Sequence, residues 1–163
     1  MRDRSLDPDI AFIGINIRDH TATYWGDGTN KVTFTTLPTA ADGVRRILHH
    51  PAQTTNRVLP IRNFELSPVE IVALLEEVQG VKYSVTHIED HESLIKENQR
   101  KWREEKSVGA ALTLVTAGFL LPGYGSNFLE EGRKKVGNEA VELDAGAVKW
   151  EDVVREAMER YGV

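Results

Sequence analysis

Apolar and polar residues alternate in some segments of the chain and recur at helical spacing in others. Val32 and Phe34 alternate with threonines, which predicts a half-buried strand. Thr39 then precedes Asp42 by three residues, the spacing of a helix capping box, and a proline follows the predicted helix. The apolar residues of this helix predict one buried face, formed by Ala40, Val44, Ile47 and Leu48.

A second helix is predicted between Ser67 and Gly80. Ser67 suits the N-cap, and a proline and a glutamate stand one and three residues later. Gly80 is typical of a helix stop. The buried stripe of this helix is predicted to contain Ile71, Leu74, Leu75 and Val78. Short strands are predicted on either side, one that begins at Val58 and ends near Asn63–Phe64 and one at residues 81–85.

The remaining pattern completes a mixed arrangement of short strands and helices. Residues 21–25 and 31–35 flank a turn with two glycines, which predicts a β-hairpin. Residues 89–106 are highly charged and predict one exposed helix or two short ones, and residues 110–121 predict a buried helix. A last helix places one face toward the core, formed by Trp150, Val153, Val154, Ala157 and Tyr161. No repeat or linker divides the sequence, so residues 1–163 are interpreted as a single α/β unit.

Composition narrows the class of protein. The chain of 163 residues is 40% hydrophobic and 28% charged, as is usual for a globular domain. Its net charge of -5 argues against a nucleic-acid partner, and the absence of cysteine removes disulfides and thiolate zinc sites. The most apolar run, residues 110–122, is shorter than the roughly 20 residues that span a bilayer. The N-terminus lacks the apolar core of a signal peptide. We therefore expect a cytoplasmic protein without a membrane partner.

Two glycines and four histidines are the first candidates for chemistry. Gly26 and Gly28 are interpreted as a turn, because a dinucleotide loop would need a helix after it. His87 and His91, with the acidic residues between them, suit a divalent metal only if the segment is helical. The preceding alternation favours a solvated strand-to-helix junction, so no metal site is predicted. His49 and His50 suit acid–base chemistry or, more simply, the negative end of a helix.

A basic run and a glycine loop have simpler interpretations than the chemistry they suggest. Arg133, Lys134 and Lys135 suit a nucleotide phosphate, but acidic neighbours favour a solvated face. The loop at residues 122–126 is not a nucleophile elbow, because its central residue is tyrosine and no strand leads into it. Neither segment is assigned a function.

Three segments carry a resemblance to a known family. Residues 50–57, HPAQTTNR, are similar to an "hP...tanr" turn, and residues 67–88 are similar to an "s.nEil..leeatGkkw.v.hv" unit. Residues 150–154, WEDVV, match a C-terminal "leeVV". On these motifs, from about Phe12 to the C-terminus, the chain resembles the NmrA-like or isoflavone-reductase-like oxidoreductases. These are of the atypical short-chain dehydrogenase type, and the fungal members are the most similar.

The resemblance implies the C-terminal, substrate-side portion of an NAD(P)-binding Rossmann-type oxidoreductase. The N-terminal nucleotide-binding half of the family is expected to be absent from this chain. Thr39 and Ala40 stand where the family usually has Asp and Ile. The family's cofactor is NADP, but no position here matches its glycine-rich loop or its catalytic lysine. No cofactor-binding or catalytic residue is therefore assigned.

The resemblance also implies where a small-molecule substrate would lie. The family's substrate cleft is close to the region around the glycine loop, so Phe119, Tyr124 and Phe128 are predicted to line the pocket. The simpler alternative is that these aromatic residues pack a core around the loop.

The resulting hypothesis is an NADPH-dependent oxidoreductase of fungal secondary metabolism, acting on a polyketide or aromatic intermediate. One alternative is a catalytically inactive remnant, which predicts exposed apolar surface where a nucleotide-binding half would dock. Another is an NADP-sensing regulatory or binding protein. The sequence does not define the oligomeric state.

Overall fold

The computed structural model describes residues 11, 13–124, 126–127 and 137–163, and its architecture is mixed α/β. The strands are β1 (Ile15–Asn16), β2 (Thr21–Trp25), β3 (Val32–Phe34), β4 (Phe64–Leu66) and β5 (Ser84–Ile88). The helices are α1 (Leu37–His49), α2 (Pro51–Thr54), α3 (Pro68–Gln79), α4 (His91–Glu105), α5 (Val108–Leu120) and α6 (Trp150–Tyr161). Short 3₁₀ turns occupy Glu139–Val141 and Ala145–Ala147.

The strands form two small sheets, and the predicted hairpin is wrong. Strand β2 pairs antiparallel with β1 and parallel with β5, whereas β3 pairs antiparallel with β4. Gly26 and Gly28 do form a turn with positive φ, at 63° and 72°. Gly28 N–H donates to Trp25 O within the turn, but Gly26 N–H donates to Ile88 O and Gly28 O accepts from Val69 N–H. The chain after β2 therefore passes to a different sheet instead of folding back on β2.

Helix α1 begins three residues earlier than predicted. Its N-cap is Thr36, whose hydroxyl accepts a hydrogen bond from Thr39 N–H at 3.4 Å. Pro38 lies in the first turn, where its fixed φ fits the helix and its missing N–H costs nothing. Asp42, predicted for the cap, instead accepts from the guanidinium of Arg46 at 2.6 Å.

The face of α1 predicted to be buried lies largely at the surface. Val44 is 57% exposed and Leu48 is 75% exposed. The inward positions are Thr39 and Gly43. Asn63 donates from Nδ2 to the Thr39 hydroxyl at 2.9 Å, and a Cβ added at Gly43 would lie 2.4 Å from Ile61 Cδ1. The orientation of α1 is therefore set by a hydrogen bond to Thr39 and by close packing at Gly43. The spacing of apolar residues in the sequence reveals neither contact.

The structure confirms the predicted start, end and inward face of α3. Ser67 and Glu70 form both hydrogen bonds of the capping box, and Gly80 ends the helix with φ of 69°. Ile71 and Leu75 are buried, and the other two stripe residues pack partly buried against the core. That core also contains residues of β1, β2 and α6 and the segments beside them, among them Ile13, Ile15, Ile17, Ala22, Tyr24, Val154 and Ala157.

The strands flanking α3 begin later than predicted. Residues 58–61 are not a strand, and Val58 is 90% exposed. The main chain here bonds to the segment after residue 136: Pro60 O accepts from Gly137 N–H, and the Asn138 amide pairs with both main-chain groups of Arg62. On the other side of α3, β5 starts at residue 84 instead of residue 81. Tyr83 N–H donates to Glu76 Oε1 at 2.8 Å, so a side chain of α3 takes the bond that a strand partner would take.

The helices predicted in the C-terminal half of the chain are confirmed, but the burial predicted for residues 110–121 is wrong. Helix α4 is a single charged helix, and α6 buries Trp150 and Val154 as expected. Helix α5 packs against α4 but leaves Leu112 52% exposed and Val115 55% exposed, so it is only partly buried. The small residues Ala110 and Ala117 of α5 are buried. The spacing of apolar residues alone does not predict which side of this helix packs against the protein. Within the described ranges, no helix is both long and apolar enough to cross a membrane.

The junction between α3 and β5 predicts a pH dependence of stability. Burial and the nearby Glu76 carboxylate raise the pKa of Tyr83 to about 12, and its hydroxyl donates to Gln79 Oε1. The pKa of Tyr83 is higher in the folded state than in the unfolded state. The contribution of the un-ionised side chain to the stability of the fold is therefore complete below pH 10 and is lost as the pH rises toward 12. Because burial also raises the pKa of Tyr24, absorbance titration should show two tyrosines ionising late, and Tyr83→Phe should remove the latest step. An unchanged titration curve in this variant would contradict the assignment.

Candidate functional site

A cavity of about 180 Å³ lies between the two-stranded sheet, α5 and α6. Its walls combine aromatic rings with threonine hydroxyls. They are formed by Thr33, Phe34, Thr35, Thr36, Phe64, Phe119, Trp150 and Val153. The cavity therefore draws on four elements that lie far apart in the chain.

The aromatic rings in the wall pack against one another, two pairs edge to face and one pair tilted. Phe34 meets Phe119 at a centroid distance of 5.8 Å with an interplanar angle of 83°. Trp150 meets Phe64 at 5.3 Å and 84°, and Phe34 at 6.1 Å and 57°. Edge-to-face packing is a favoured arrangement of aromatic rings, so these contacts hold the ring planes in place.

Hydrogen bonds at the start of α1 position the polar side of the cavity. Asn63 Oδ1 accepts from Thr36 N–H at 2.8 Å, and Asn63 N–H donates to Phe34 O at 2.9 Å. The Thr35 hydroxyl donates to Ile61 O at 2.7 Å. Asn63 thus ties the end of β3 to the start of α1 and to the chain entering β4. The hydroxyl of Thr35 is part of this framework and already has an acceptor.

Trp150 lines the cavity with its ring, while its indole nitrogen is buried. Its side chain is buried, with 7% of the residue exposed, and its Nε1–H has no hydrogen-bond partner among the described residues. Leaving a buried donor unpaired costs about 1–3 kcal/mol. The fold therefore buries the indole N–H of Trp150 at an energetic cost, and a water molecule does not reach this donor.

Among the described residues, those that form the walls of the cavity include no ionisable side chain. A charged ligand would lose its hydration there without gaining a counter-charge from the wall. General acid–base chemistry also needs a titratable group within hydrogen-bond reach of the reacting atom. The cavity therefore suits binding of an uncharged organic molecule more than proton transfer by its own walls.

Two of the three residues predicted to line a pocket are described, and they lie in different surroundings. Phe119 lies in the wall of the cavity. Tyr124 is 63% exposed and is not part of the wall. Phe128 lies outside the described residues. The role of these residues in substrate binding stays a prediction.

Three aromatic residues of the wall were not predicted as site residues: Phe34, Phe64 and Trp150. Sequence reasoning assigned Phe34 to a strand and Trp150 to the core face of the last helix. Both assignments are compatible with the structure, but only the folded chain brings the two rings together. An orphaned indole N–H has no signature in sequence, because it depends on the absence of an acceptor in three dimensions.

The histidine candidates are not brought together. His87 Nδ1 lies 2.9 Å from Gly26 O, and its ring packs against Tyr24 at 5.5 Å. His91 begins α4, and its Nδ1 is buried without a partner. In the part of the chain that the structure describes, no three His, Asp or Glu side chains are placed to hold a metal. His49 and His50 lie at the C-terminal end of α1, as the electrostatic interpretation predicts. The basic run at residues 133–135 is outside the described ranges.

The described residues do not fit a nicotinamide dinucleotide. Gly28 is followed by β3 instead of a helix, and its space is filled: a Cβ there would lie 2.7 Å from the Tyr24 ring. The cavity is also smaller than the roughly 300–1,000 Å³ of pockets for drug-sized ligands. No step of a hydride transfer is therefore assigned to these residues.

Comparison with known proteins finds no matching family model, no matching curated protein and no matching solved structure.

Proposed function

We propose that this chain is the substrate-side portion of an NmrA-like, NAD(P)-dependent oxidoreductase. The observation that carries the proposal is the aromatic cavity, because its wall contains Phe119. The resemblance of the sequence to the family places that residue near the substrate cleft. The proposal includes a Rossmann-type ancestry of the fold and a role in fungal secondary metabolism.

The cavity defines the size of the proposed substrate. Its volume of about 180 Å³ suits a single aromatic ring with a small substituent. A cavity of about 150 Å³ in another protein is sufficient for benzene. The edge-to-face rings offer both faces and edges to a planar guest, so the substrate, or the part of it that enters, is planar and uncharged.

The cofactor of this proposal is NADPH. When bound, it would supply the hydride, and the protein would orient the substrate. The residues described here would contribute only to orienting the substrate, because the aromatic wall limits the plane in which a ring can lie.

A second candidate is a binding or regulatory protein without catalysis. The described residues of the cavity wall carry no ionisable group, which favours it. The exposed apolar side chains of α1 and α5 are compatible with an inactive remnant of an enzyme. These alternatives share the cavity and differ only in whether bound ligand is turned over.

Ligand titration tests the cavity. Acetophenone, an uncharged single-ring ketone, is expected to bind saturably in isothermal titration calorimetry. Phe119→Ala should weaken its binding about tenfold, because an aromatic contact is worth about 0.5–1.5 kcal/mol beyond its buried area. Leu112→Ala is the matched control, since Leu112 lies on the same helix and is 52% exposed. Equal affinities in the three proteins would contradict the proposed site.

NADPH separates the enzyme from the binding protein. Oxidation of NADPH in the presence of acetophenone, followed by its absorbance, supports the oxidoreductase. Saturable binding of acetophenone without NADPH oxidation supports the binding protein, and NADPH binding without oxidation supports its NADP-sensing form. The tryptophan fluorescence of the chain reports NADPH binding independently of turnover.

A further inference from the structure

Strand β5 forms an exposed edge of the three-stranded sheet. The strand order is β1-β2-β5, and among the described residues β5 pairs with β2 alone. Residues 84–87 are all exposed, so none of the described helices and loops buries this strand. Its sequence, SVTHI, contains no proline, lysine or acidic residue, and no bulge interrupts its register with β2. Those are the features with which proteins usually block an edge strand, so β5 is able to accept a further strand.

The main-chain groups of Val85 and His87 point away from β2. Ser84 N–H donates at 2.9 Å to the residue before β2, and Ile88 O accepts at 3.1 Å from the residue after it. Because alternate residues of a strand bond to the same neighbour, Thr86 also bonds to β2, whereas Val85 and His87 turn to the other side. Their main-chain N–H and C=O groups have no hydrogen bond to any described residue. These groups form the outer edge of β5.

One antiparallel register with a second copy of β5 pairs every group of the outer edge. In an antiparallel ladder, two opposed residues whose groups face each other exchange both N–H···O=C bonds. This condition is met when Val85 of each copy lies opposite His87 of the other copy, with a two-fold axis beside Thr86. A shift of the register toward the N-terminus would instead require Tyr83 N–H, which already donates to Glu76 Oε1.

The charges that flank β5 are complementary in the same register. Lys82 precedes the strand, and Glu89 and Asp90 follow it. An antiparallel pair centred on residue 86 places Lys82 of each copy opposite Asp90 of the other copy and one residue from Glu89. A parallel pair in register would place like charges opposite each other. The Lys82 side chain is 88% exposed, so it can reach a second copy although it also pairs with Glu76. The charges therefore favour antiparallel pairing of the chain with itself.

We propose that the outer edge of β5 is a dimer interface, at which two copies of this chain join their three-stranded sheets antiparallel across a two-fold axis beside Thr86. The contact is isologous, so it uses the same edge of both copies and ends at the dimer. A strand of five residues buries less than the roughly 800 Å² per chain of a standard interface. The dimer is therefore weak, with a dissociation constant between about 10 µM and 1 mM.

Sedimentation equilibrium of the full chain tests the interface over that range of concentration. The average mass is expected to rise toward twice the monomer mass. Val85→Pro removes an N–H of the outer edge without removing a bond to β2, and proline is tolerated in edge strands at such positions. It should weaken association at least about tenfold. Val85→Thr is the matched control, because it keeps the N–H and a β-branched side chain, and it should dimerise like the natural chain. Circular dichroism reports the folding of both variants.

Single-cysteine variants test the register, and they decide the proposal even if Val85→Pro does not fold. The natural chain contains no cysteine, so an introduced thiol has no competitor. In the proposed dimer Thr86 faces its own copy in a non-hydrogen-bonded pair, whose Cα atoms lie about 4.5 Å apart, within the range of a disulfide. Thr86→Cys is therefore expected to form a disulfide-linked dimer under mild oxidation. Ser84→Cys is the matched control on the same face of β5. Its two copies would lie about 14 Å apart, and it should cross-link at least about tenfold more slowly.

Three results overturn the proposal. The first is a monomer mass over the whole range of concentration. The second is association that Val85→Pro leaves unchanged, which would assign the dimer to another surface, such as the exposed apolar side chains of α1 or α5. The third is equal cross-linking of Thr86→Cys and Ser84→Cys. Each of these results leaves the aromatic cavity and its proposed ligand untouched, so the dimer and the proposed function are tested separately.

Discussion

Replacement of Gly14 by alanine is expected to lower the free energy of unfolding by about 3 kcal/mol or more, from backbone strain and overpacking together. Gly14 has φ of 76°, a conformation that disfavours a Cβ. A Cβ at this position would lie 2.5 Å from the main-chain oxygen of Thr23. That strand cannot move away easily, because Thr23 N–H donates to Gly14 O at 2.7 Å. Urea denaturation followed by circular dichroism measures the change.

Gly26→Ala is the matched control for this effect. Gly26 has a similar φ of 63°, but a Cβ there would meet no atom within 4 Å. Only the backbone cost remains, about 1 kcal/mol. A loss of stability in Gly14→Ala no larger than in Gly26→Ala would show that the contact with β2 does not limit this position. The comparison separates the conformational requirement for glycine from the requirement for close packing.

Local signals in the sequence predict the parts of this fold that depend on local chemistry. Helix α3 has its N-cap, its capping glutamate and its stop within one short segment, and all of them act as predicted. The turn at Gly26 is also predicted correctly, because positive φ is a property of the residue itself. What that turn connects is not local. The pairing of β2 with β5 depends on a strand about sixty residues away, and turn chemistry gives no information about it.

The candidate site is non-local for the same reason. Phe119 was predicted by the resemblance to a family, and the structure places it in a cavity with three other aromatic rings. Those rings come from β3, β4 and α6, and each looks like an ordinary core residue in its own segment. The unpaired N–H of Trp150 emerges only when the surroundings of the ring are known. Sequence patterns therefore predict the elements that carry the site, whereas the arrangement of the site requires the packed structure.

Replacement of Leu75 by alanine is expected to lower the free energy of unfolding by about 2–5 kcal/mol, the range for a large-to-small change in a core. Leu75 has no exposed surface and belongs to the core shared by β1, β2 and α6. The loss includes the apolar area removed from the core and the cavity left behind. Thermal and urea denaturation should both report it.

Leu48→Ala is the control that the sequence alone would not have chosen. The apolar period places Leu48 on a buried helix face just as it places Leu75, but Leu48 is 75% exposed. Its removal is expected to change stability by less than about 0.5 kcal/mol, since little apolar area returns to water and alanine favours the helix. If Leu48→Ala were as damaging as Leu75→Ala, the exposed face of α1 would have to be covered in solution. Size-exclusion chromatography with light scattering would then show whether a second copy of the chain covers it.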